Sequence, residues 1–260
     1  MSDVPAAVAG VFTRSTVVGA PVELSRARVP RRTGRAVIVN SGISNVAMGE
    51  RGRRAAHAMA RVVARALSCD EEDVLVASTG VIGEPLPVAK IRNAMPDLVA
   101  SLAPDGFGRA ARAIMTTDTF PKSAHARTRI GGRWVGVSGI AKGSGMIEPD
   151  MATMLSFLCT DAAVAPRTLQ ALLREVADQT YNRLTIDGEG STSDTVLLFA
   201  NGQAGNDVLR GARSADVRRF ARTLLEVCEE LVRQLARDGE GATRLVTVRV
   251  VGARNPEEAV

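Results

Sequence analysis

The residues best suited to chemistry cluster in one stretch, Lys142-Gly143-Ser144-Gly145-Met146-Ile147-Glu148-Pro149-Asp150-Met151-Ala152-Thr153-Met154-Leu155. It opens with a lysine and two glycines, passes through a Pro-Asp turn, and ends on an Ala-Thr step that leads into an apolar run, residues 154–159. Glycine and small turn-forming residues let backbone N–H groups come close to a ligand or to another strand. A threonine just behind such a loop, with a lysine upstream, is a candidate nucleophile. Its hydroxyl is weak at its ordinary pKa and needs an adjacent base. One solution is to cut the chain before it, so that its own α-amine, with an unperturbed pKa of about 7.7–8.0, serves as that base. The rival reading is a glycine-rich loop entering a buried strand.

Other chemistries fit less well. Only two histidines are present, His57 and His125, and there is no G-x-S-x-G elbow for a Ser-His-Asp hydrolase. A Walker phosphate loop is absent, and Gly143-Ser144-Gly145 lacks the third glycine of a dinucleotide fingerprint. Cys69, Cys159 and Cys228 are widely spaced and offer neither a zinc pair nor a disulfide framework. No metal and no cofactor are therefore expected. What remains is chemistry built from hydroxyls, backbone amides and a lysine.

Composition narrows the class further. At 260 residues, 45% hydrophobic and 23% charged, the chain suits one large globular domain or two small ones. Aromatic residues make up only 3%, so Val, Leu, Ile and Ala must build the core. The net charge of +5 comes from scattered arginines without interleaved aromatics, which argues against a nucleic-acid partner. No stretch approaches the roughly 20 apolar residues of a membrane span, and the first ten residues do not read as a secretory leader. The expected location is the cytoplasm.

Several elements must position these residues. Residues 11–13 and 21–24 read as short strands. Residues 36–39 form a buried-strand pattern that delivers Asn40-Ser41-Gly42, with Asn40 either a turn residue or a polar group beside a site. Residues 50–67 have helical spacing, 74–77 read as a strand, and a second helix carries Ile91, Met95, Leu98, Val99 and Leu102. Residues 107–115 read as a helix ending in Thr116-Thr117-Asp118-Thr119, a capping turn or a cluster of pocket hydroxyls before Pro121. Residues 129–140 suggest a hairpin at Gly131-Gly132. A central strand at 154–159, a helix over 166–181, and strands at 184–186 and 196–200 follow, the last two flanking the polar loop 187–194. A long helix covers 215–236 with Gly239 as its C-cap, and 244–251 alternates like a half-buried strand.

The motifs Asn40-Ser41-Gly42, Val76-Ala77-Ser78-Thr79-Gly80-Val81-Ile82-Gly83-Glu84-Pro85, Met115-Thr116-Thr117-Asp118-Thr119-Phe120-Pro121-Lys122, Ser191-Thr192-Ser193-Asp194-Thr195 and Asp238-Gly239-Glu240-Gly241-Ala242-Thr243 occur in one order around the Lys142 stretch. Together they resemble the ornithine acetyltransferase family, also called the glutamate N-acetyltransferase or ArgJ family, from about Gly10 onward. The resemblance implies an α/β fold of layered sheets and helices, DmpA/ArgJ-like, self-cleaved between Ala152 and Thr153. Segments 1–152 and 153–260 would then stay intertwined, with association into a higher homo-oligomer. It further implies that Thr153 carries an acetyl group from N2-acetylornithine to glutamate in a ping-pong reaction of arginine biosynthesis, with acetyl-CoA as a further candidate donor. Thr79 and Gly80 match the oxyanion-stabilising pair. Lys142, one threonine of the pair Thr116 and Thr117 (with Thr117 slightly favoured), and Glu240 match substrate-contacting residues. Alternatives within this resemblance are a paralogue with another acyl donor and a non-catalytic remnant.

Three departures stand out. The sequence has Ile43-Ser44-Asn45 after Asn40-Ser41-Gly42, where the family reads Asn-Ala-Asn. It reads Glu189-Gly190 and Ser193 where the family has Asp-Thr and Asn. It also starts late and stops soon after Glu240, where family members continue through a C-terminal portion that supplies further polar residues to the substrate pocket, so the resemblance implies a form truncated at both ends, mainly the C-terminal one.

Overall fold

The computed structural model describes residues 1–148, 154–212, 214–255 and 258. In chain order the elements are β1 (Ala6–Phe12), α1 (Ala20–Ala27), β2 (Arg31–Gly34), β3 (Ala36–Asn40), α2 (Gly49–Leu67), β4 (Val74–Ser78), α3 (Val88–Ala100), α4 (Phe107–Ala113), β5 (Lys122–Ile130), β6 (Arg133–Lys142), β7 (Leu155–Thr160), α5 (Pro166–Gln179), β8 (Thr195–Ala200) and α6 (Ala215–Arg237).

Side-chain alternation in the central strands decides the layering. Leu155 and Phe157 of β7 and Leu197 and Phe199 of β8 face one apolar cluster, while Leu158, Val196 and Leu198 face another. A strand buried on both faces reads as a continuous apolar run, as residues 154–159 do. β7 and β8 are parallel, and such a pair needs a crossover connection, which α5 supplies. Antiparallel neighbours extend this sheet on both sides, giving the order β2-β1-β8-β7-β6-β5.

A second sheet pairs β3 with β4 in parallel, with α2 between them in sequence. Its inner face meets the large sheet: Leu75 and Ala77 join Ile140, Leu155, Phe157, Leu197 and Phe199. Its outer face is covered by helices, with Met59, Ala60 and Val63 of α2 against Ile38 and Val76. On the far side of the large sheet, Leu169 and Leu173 of α5 and Phe220, Leu224 and Leu231 of α6 close the main core. The layers thus run helix, sheet, sheet, helix. Each fully buried Leu or Phe in these clusters contributes about 1.5–3 kcal/mol from area removed from water.

The Gly131-Gly132 hairpin forms as the sequence suggests, both glycines having positive φ in a two-residue loop between β5 and β6. β1 begins five residues earlier than the apolar run at 11–13 marks. Its edge at Gly10 is closed by a side chain: Gln170 of α5 accepts from Gly10 N–H (3.0 Å) and donates to Gly10 O (2.8 Å).

Four expectations are corrected. Residues 21–24 belong to α1 rather than to a strand. Pro21 sits in its first turn, where a missing N–H is harmless, and Ala20, Val22 and Ser25 turn inward. Residues 184–186 form no strand. A 3-10 turn, Tyr181–Arg183, precedes them, and Ile186 N–H reaches Ile147 O at 2.8 Å. Asp238, not Gly239, caps α6, and Gly239 packs closely on Ile186, a Cβ there lying 3.0 Å from Ile186 Cγ2. Residues 244–251 alternate as a strand would, yet form no ladder among the described residues. Val246, Val248 and Val251 are 76%, 82% and 77% exposed. Alternation prescribes which face is apolar, but a strand also needs a neighbour to pair with.

Candidate active site

β3 and β4 end side by side, and their ends shape the first wall of the site. Asn40 holds the turn: its Nδ2 donates to Ile43 O (2.8 Å), its Oδ1 accepts from Ser78 Oγ (2.6 Å), and its O accepts from Thr79 N–H (3.1 Å). Asn40 is therefore a structural turn residue. The Thr79 N–H is used in this way, so the groups Thr79 and Gly80 can offer a ligand are the Thr79 hydroxyl and the Gly80 N–H. The latter has no hydrogen-bond partner among the described residues. Gly80 has φ +124°, and a Cβ there would lie 2.2 Å from the Gly42 carbonyl carbon. Only glycine fits that close approach.

Lys142 forms the second wall. It is the last residue of β6, in register with Leu155 of β7, two residues after Thr153. Its amine donates to Thr116 Oγ1 (2.9 Å) and Thr79 Oγ1 (3.2 Å), and lies 3.9 Å from Asp118 Oδ2. A hydroxyl that accepts from an ammonium turns its own hydrogen elsewhere, so Lys142 fixes which way the Thr79 and Thr116 hydroxyls point. Burial lowers the Lys142 pKa, with Asp118 opposing the shift.

Behind Lys142 lies a buried charge cluster. Asp118 Oδ1 accepts from Lys122 Nζ and from Gly143 N–H, both at 2.7 Å, and its Oδ2 accepts from Thr116 N–H (3.1 Å). Burial opposes ionisation of Asp118, yet the Lys122 and Gly143 hydrogen bonds and the Lys142 charge together hold its pKa below the ordinary value. Lys122 Nζ also donates to Asp238 Oδ2 (2.5 Å), and Asp238 accepts from Thr119 N–H (3.0 Å) and from the Thr119 hydroxyl. The Lys122 side chain is fully buried. Two residues past Asp238, Glu240 N–H donates to Ser144 O (2.6 Å). Thr117 Oγ1, Ser144 Oγ and Glu240 Oε1 form a polar chain at 2.7 and 3.4 Å.

Ala152 and Thr153 lie outside the described residues, as do Pro149, Asp150 and Met151. The chain on either side of them is held by one loop, 187–194. Asp187 accepts from Met146 N–H and from Ile147 N–H (2.9 Å). Asp194 Oδ1 accepts from Met154 N–H (2.8 Å). The Asp194 Oδ2 is buried with no hydrogen-bond partner among the described residues. Burial raises its pKa to about 8, against the pull of the Met154 hydrogen bond, the neighbouring Ser191 and Thr13 hydroxyls and the Lys142 charge.

The fold thus brings Thr79, Gly80, Thr116, Thr117, Lys142 and Glu240 to one place, from the ends of β4 and β6, the turn after α4 and the segment after α6. Thr116 and Thr117 both belong there, Thr116 on Lys142 and Thr117 on Ser144. Sequence reasoning gave no role to Lys122, Asp118, Asp238, Asp194 or Ser144. One signal was available: of 33 Lys and Arg residues only three are lysine, Lys90, Lys122 and Lys142. In a chain that uses arginine for nearly every other cation, two of the three lysines are buried here. His57, by contrast, is an exposed partner of Glu71 (2.9 Å).

The layered architecture is similar to that of the l-aminopeptidase d-ala-esterase/amidase of Ochrobactrum anthropi, described as a variant of the Ntn hydrolase fold. The TM-score is 0.52 at 13% identity, covering 92% of this chain and 74% of that one, a likeness of fold alone. The crystal structure of the arginine biosynthesis bifunctional protein ArgJ from Bacillus halodurans has a TM-score of 0.53 at 41% identity, covering 58% of this chain and 79% of that chain. In sequence, the arginine biosynthesis bifunctional protein ArgJ of Symbiobacterium thermophilum is 50% identical over 258 residues, 99% of this chain. That match covers 64% of the relative, so the chain spans a little less than two thirds of its length. The profile of the ArgJ family matches residues 1–260. The chain belongs to the ArgJ family.

Proposed function

We propose that this chain is an acetyltransferase of arginine biosynthesis that moves the acetyl group of N2-acetylornithine to glutamate through an acetyl-Thr153 intermediate. In this reading Thr153 Oγ attacks the Ala152 carbonyl, the amide becomes an ester, and water cleaves the ester. Segments 1–152 and 153–260 result, and Thr153 gains a free α-amine. That amine takes the hydroxyl proton as Thr153 attacks the acetyl amide, and returns it to the departing ornithine nitrogen. Glutamate's amine then attacks the ester and restores the hydroxyl. The Thr79 hydroxyl and Gly80 N–H stabilise the developing oxyanion, one good donor being worth about 3–4 kcal/mol. Lys142 faces the developing charge or a substrate carboxylate, Thr116 and Thr117 bind substrate, and Glu240 receives the cationic ornithine amine. Acetyl-CoA is a further donor to be tested, the cytoplasm is the expected compartment, and the cleaved segments are expected to assemble as a homo-oligomer.

The observation that carries this reading is the convergence of the Thr79 hydroxyl, the unpartnered Gly80 N–H and the buried Lys142 beside the strand that follows Thr153, in a chain of the ArgJ family. Intact mass under denaturing conditions tests it, beside Thr153→Ala. Two fragments meeting at Ala152–Thr153, lost in the variant, together with acetylation of glutamate that depends on N2-acetylornithine and releases ornithine, are expected. A single uncut chain in both proteins would overturn the mechanism.

A further inference from the structure

The geometry points to Lys122 as a positioning residue of this site, acting through Asp118 and Asp238 to hold Lys142, the glycine loop that follows it and the Glu240 segment in one arrangement. The inference rests on the proposed function only for its kinetic consequence.

Lys122 touches neither Lys142 nor any group of the polar chain directly. Its amine sits between two carboxylates, Asp118 Oδ1 at 2.7 Å and Asp238 Oδ2 at 2.5 Å, with Phe120 O at 3.4 Å and the Phe120 ring centroid at 4.9 Å. A buried ammonium is expensive unless paired and hydrogen-bonded. Here it has two partners, and each partner holds a different part of the site. Asp118 fixes the Gly143 and Thr116 N–H groups and shares its charge with Lys142. Asp238 fixes the Thr119 turn and ends α6 two residues before Glu240.

Two ammonium groups thus stand against two carboxylates in one cluster. A purely structural tie could be made by an apolar residue, and buried ion pairs are often no more stabilising than that. The lysine does something an apolar residue cannot: it takes part of the Asp118 charge away from Lys142. The charged groups that act on Lys142 are Asp118, Lys122, Glu240 and Asp194. Removing the Lys122 charge leaves Asp118 to Lys142 and favours the Lys142 ammonium. Removing the Asp238 charge does the reverse.

Because the chain has only three lysines, protein labelled with carbon-13 at the lysine ε-carbon gives three side-chain signals. Their titration can be followed by NMR in the full 260-residue chain without any assay of turnover. Lys122→Met should move the Lys142 midpoint to higher pH, and Asp238→Asn should move it to lower pH. In an active preparation, Lys122→Met should also lower kcat on the order of 10²-fold, as small displacements of reacting groups do. An unchanged Lys142 midpoint in folded Lys122→Met protein overturns the inference. Should that variant fail to fold, an unchanged or upward shift in Asp238→Asn overturns it equally. Wild-type protein without transferase activity would count against the proposed function and leave the lysine titration to decide the role of Lys122.

Discussion

Asp194 makes a sharp prediction about pH. Its carboxyl is buried beside Met154, with one oxygen accepting the Met154 N–H and the other unpartnered among the described residues. Burial lifts its pKa from 3.8 to about 8. Between those values the folded chain holds a proton at Asp194 that the unfolded chain has released. The folded state therefore binds more protons, and this group's contribution to stability falls as pH rises, by about 1.4 kcal/mol per pH unit. It is fully present below about pH 4 and lost as pH climbs through 8. Between pH 5.5 and 7.5 the loss is about 2.5 kcal/mol, a little under the full slope because the folded carboxyl begins to ionise near pH 7.5. Asp194→Asn keeps the shape and the acceptor for Met154 N–H but cannot ionise. Urea denaturation at several pH values, with Thr153→Ala in both proteins so that each remains a single chain, isolates the effect. The difference in unfolding free energy, Asp194→Asn minus parent, should rise by about 2–3 kcal/mol from pH 5.5 to 7.5. Curves that stay parallel within about 0.5 kcal/mol would show that the carboxylate ionises freely in the folded protein, refuting the burial reasoning.

Three further outcomes follow from the site. Thr79→Val should leave self-cleavage or transfer slower by about 10²–10³-fold if the hydroxyl is an oxyanion donor; an unchanged single-turnover rate would remove it from that role. Glu240→Gln should raise KM for acetylornithine far more than it lowers kcat, the mark of a group that binds substrate and transition state alike; an effect confined to kcat would reassign it. Gly80→Ala forces a Cβ against the Gly42 carbonyl at φ +124°, and should destabilise the fold by about 1–3 kcal/mol in thermal melts; an unshifted melt would mean the β3 and β4 ends can part.

The candidate site was legible in the sequence where a residue type breaks a local rule. Lys142 ends an apolar strand pattern and opens a glycine-rich loop, so it stood out, whereas Thr79 and Gly80 read as a tight turn after β4 until the family resemblance marked them. Thr116 and Thr117 were visible as either a capping turn or a cluster of pocket hydroxyls, and only the family resemblance favoured the second; Glu240 emerged through that resemblance alone, because a charge after a helix looks like an ordinary cap. The supporting charges were hidden for a different reason. Lys122 and Asp238 are separated by 116 positions in the chain, and nothing local in either stretch announces a buried pair. Secondary structure failed where one residue carried two meanings. Pro21 can precede a strand or begin a helix, and residues 21–24 alone are too few to show a helical period. The alternation of residues 244–251 was read correctly as a pattern, but the partner that would make it a strand is not a property of the segment.

The order β2-β1-β8-β7-β6-β5 places the two strands after Thr153 in the middle of the large sheet, flanked on both sides by strands from before Ala152. A cut between those residues would therefore release nothing. The later segment is laced in by ladders on either side, to β1 through β8 and to β6 through β7. For a freed segment to swap between molecules, both seams would have to open at once, an event close to global unfolding. A mixture of differently isotope-labelled cleaved molecules should accordingly keep its original pairings for as long as the fold itself lasts, so that each molecule remains a permanent couple formed from a single translation product.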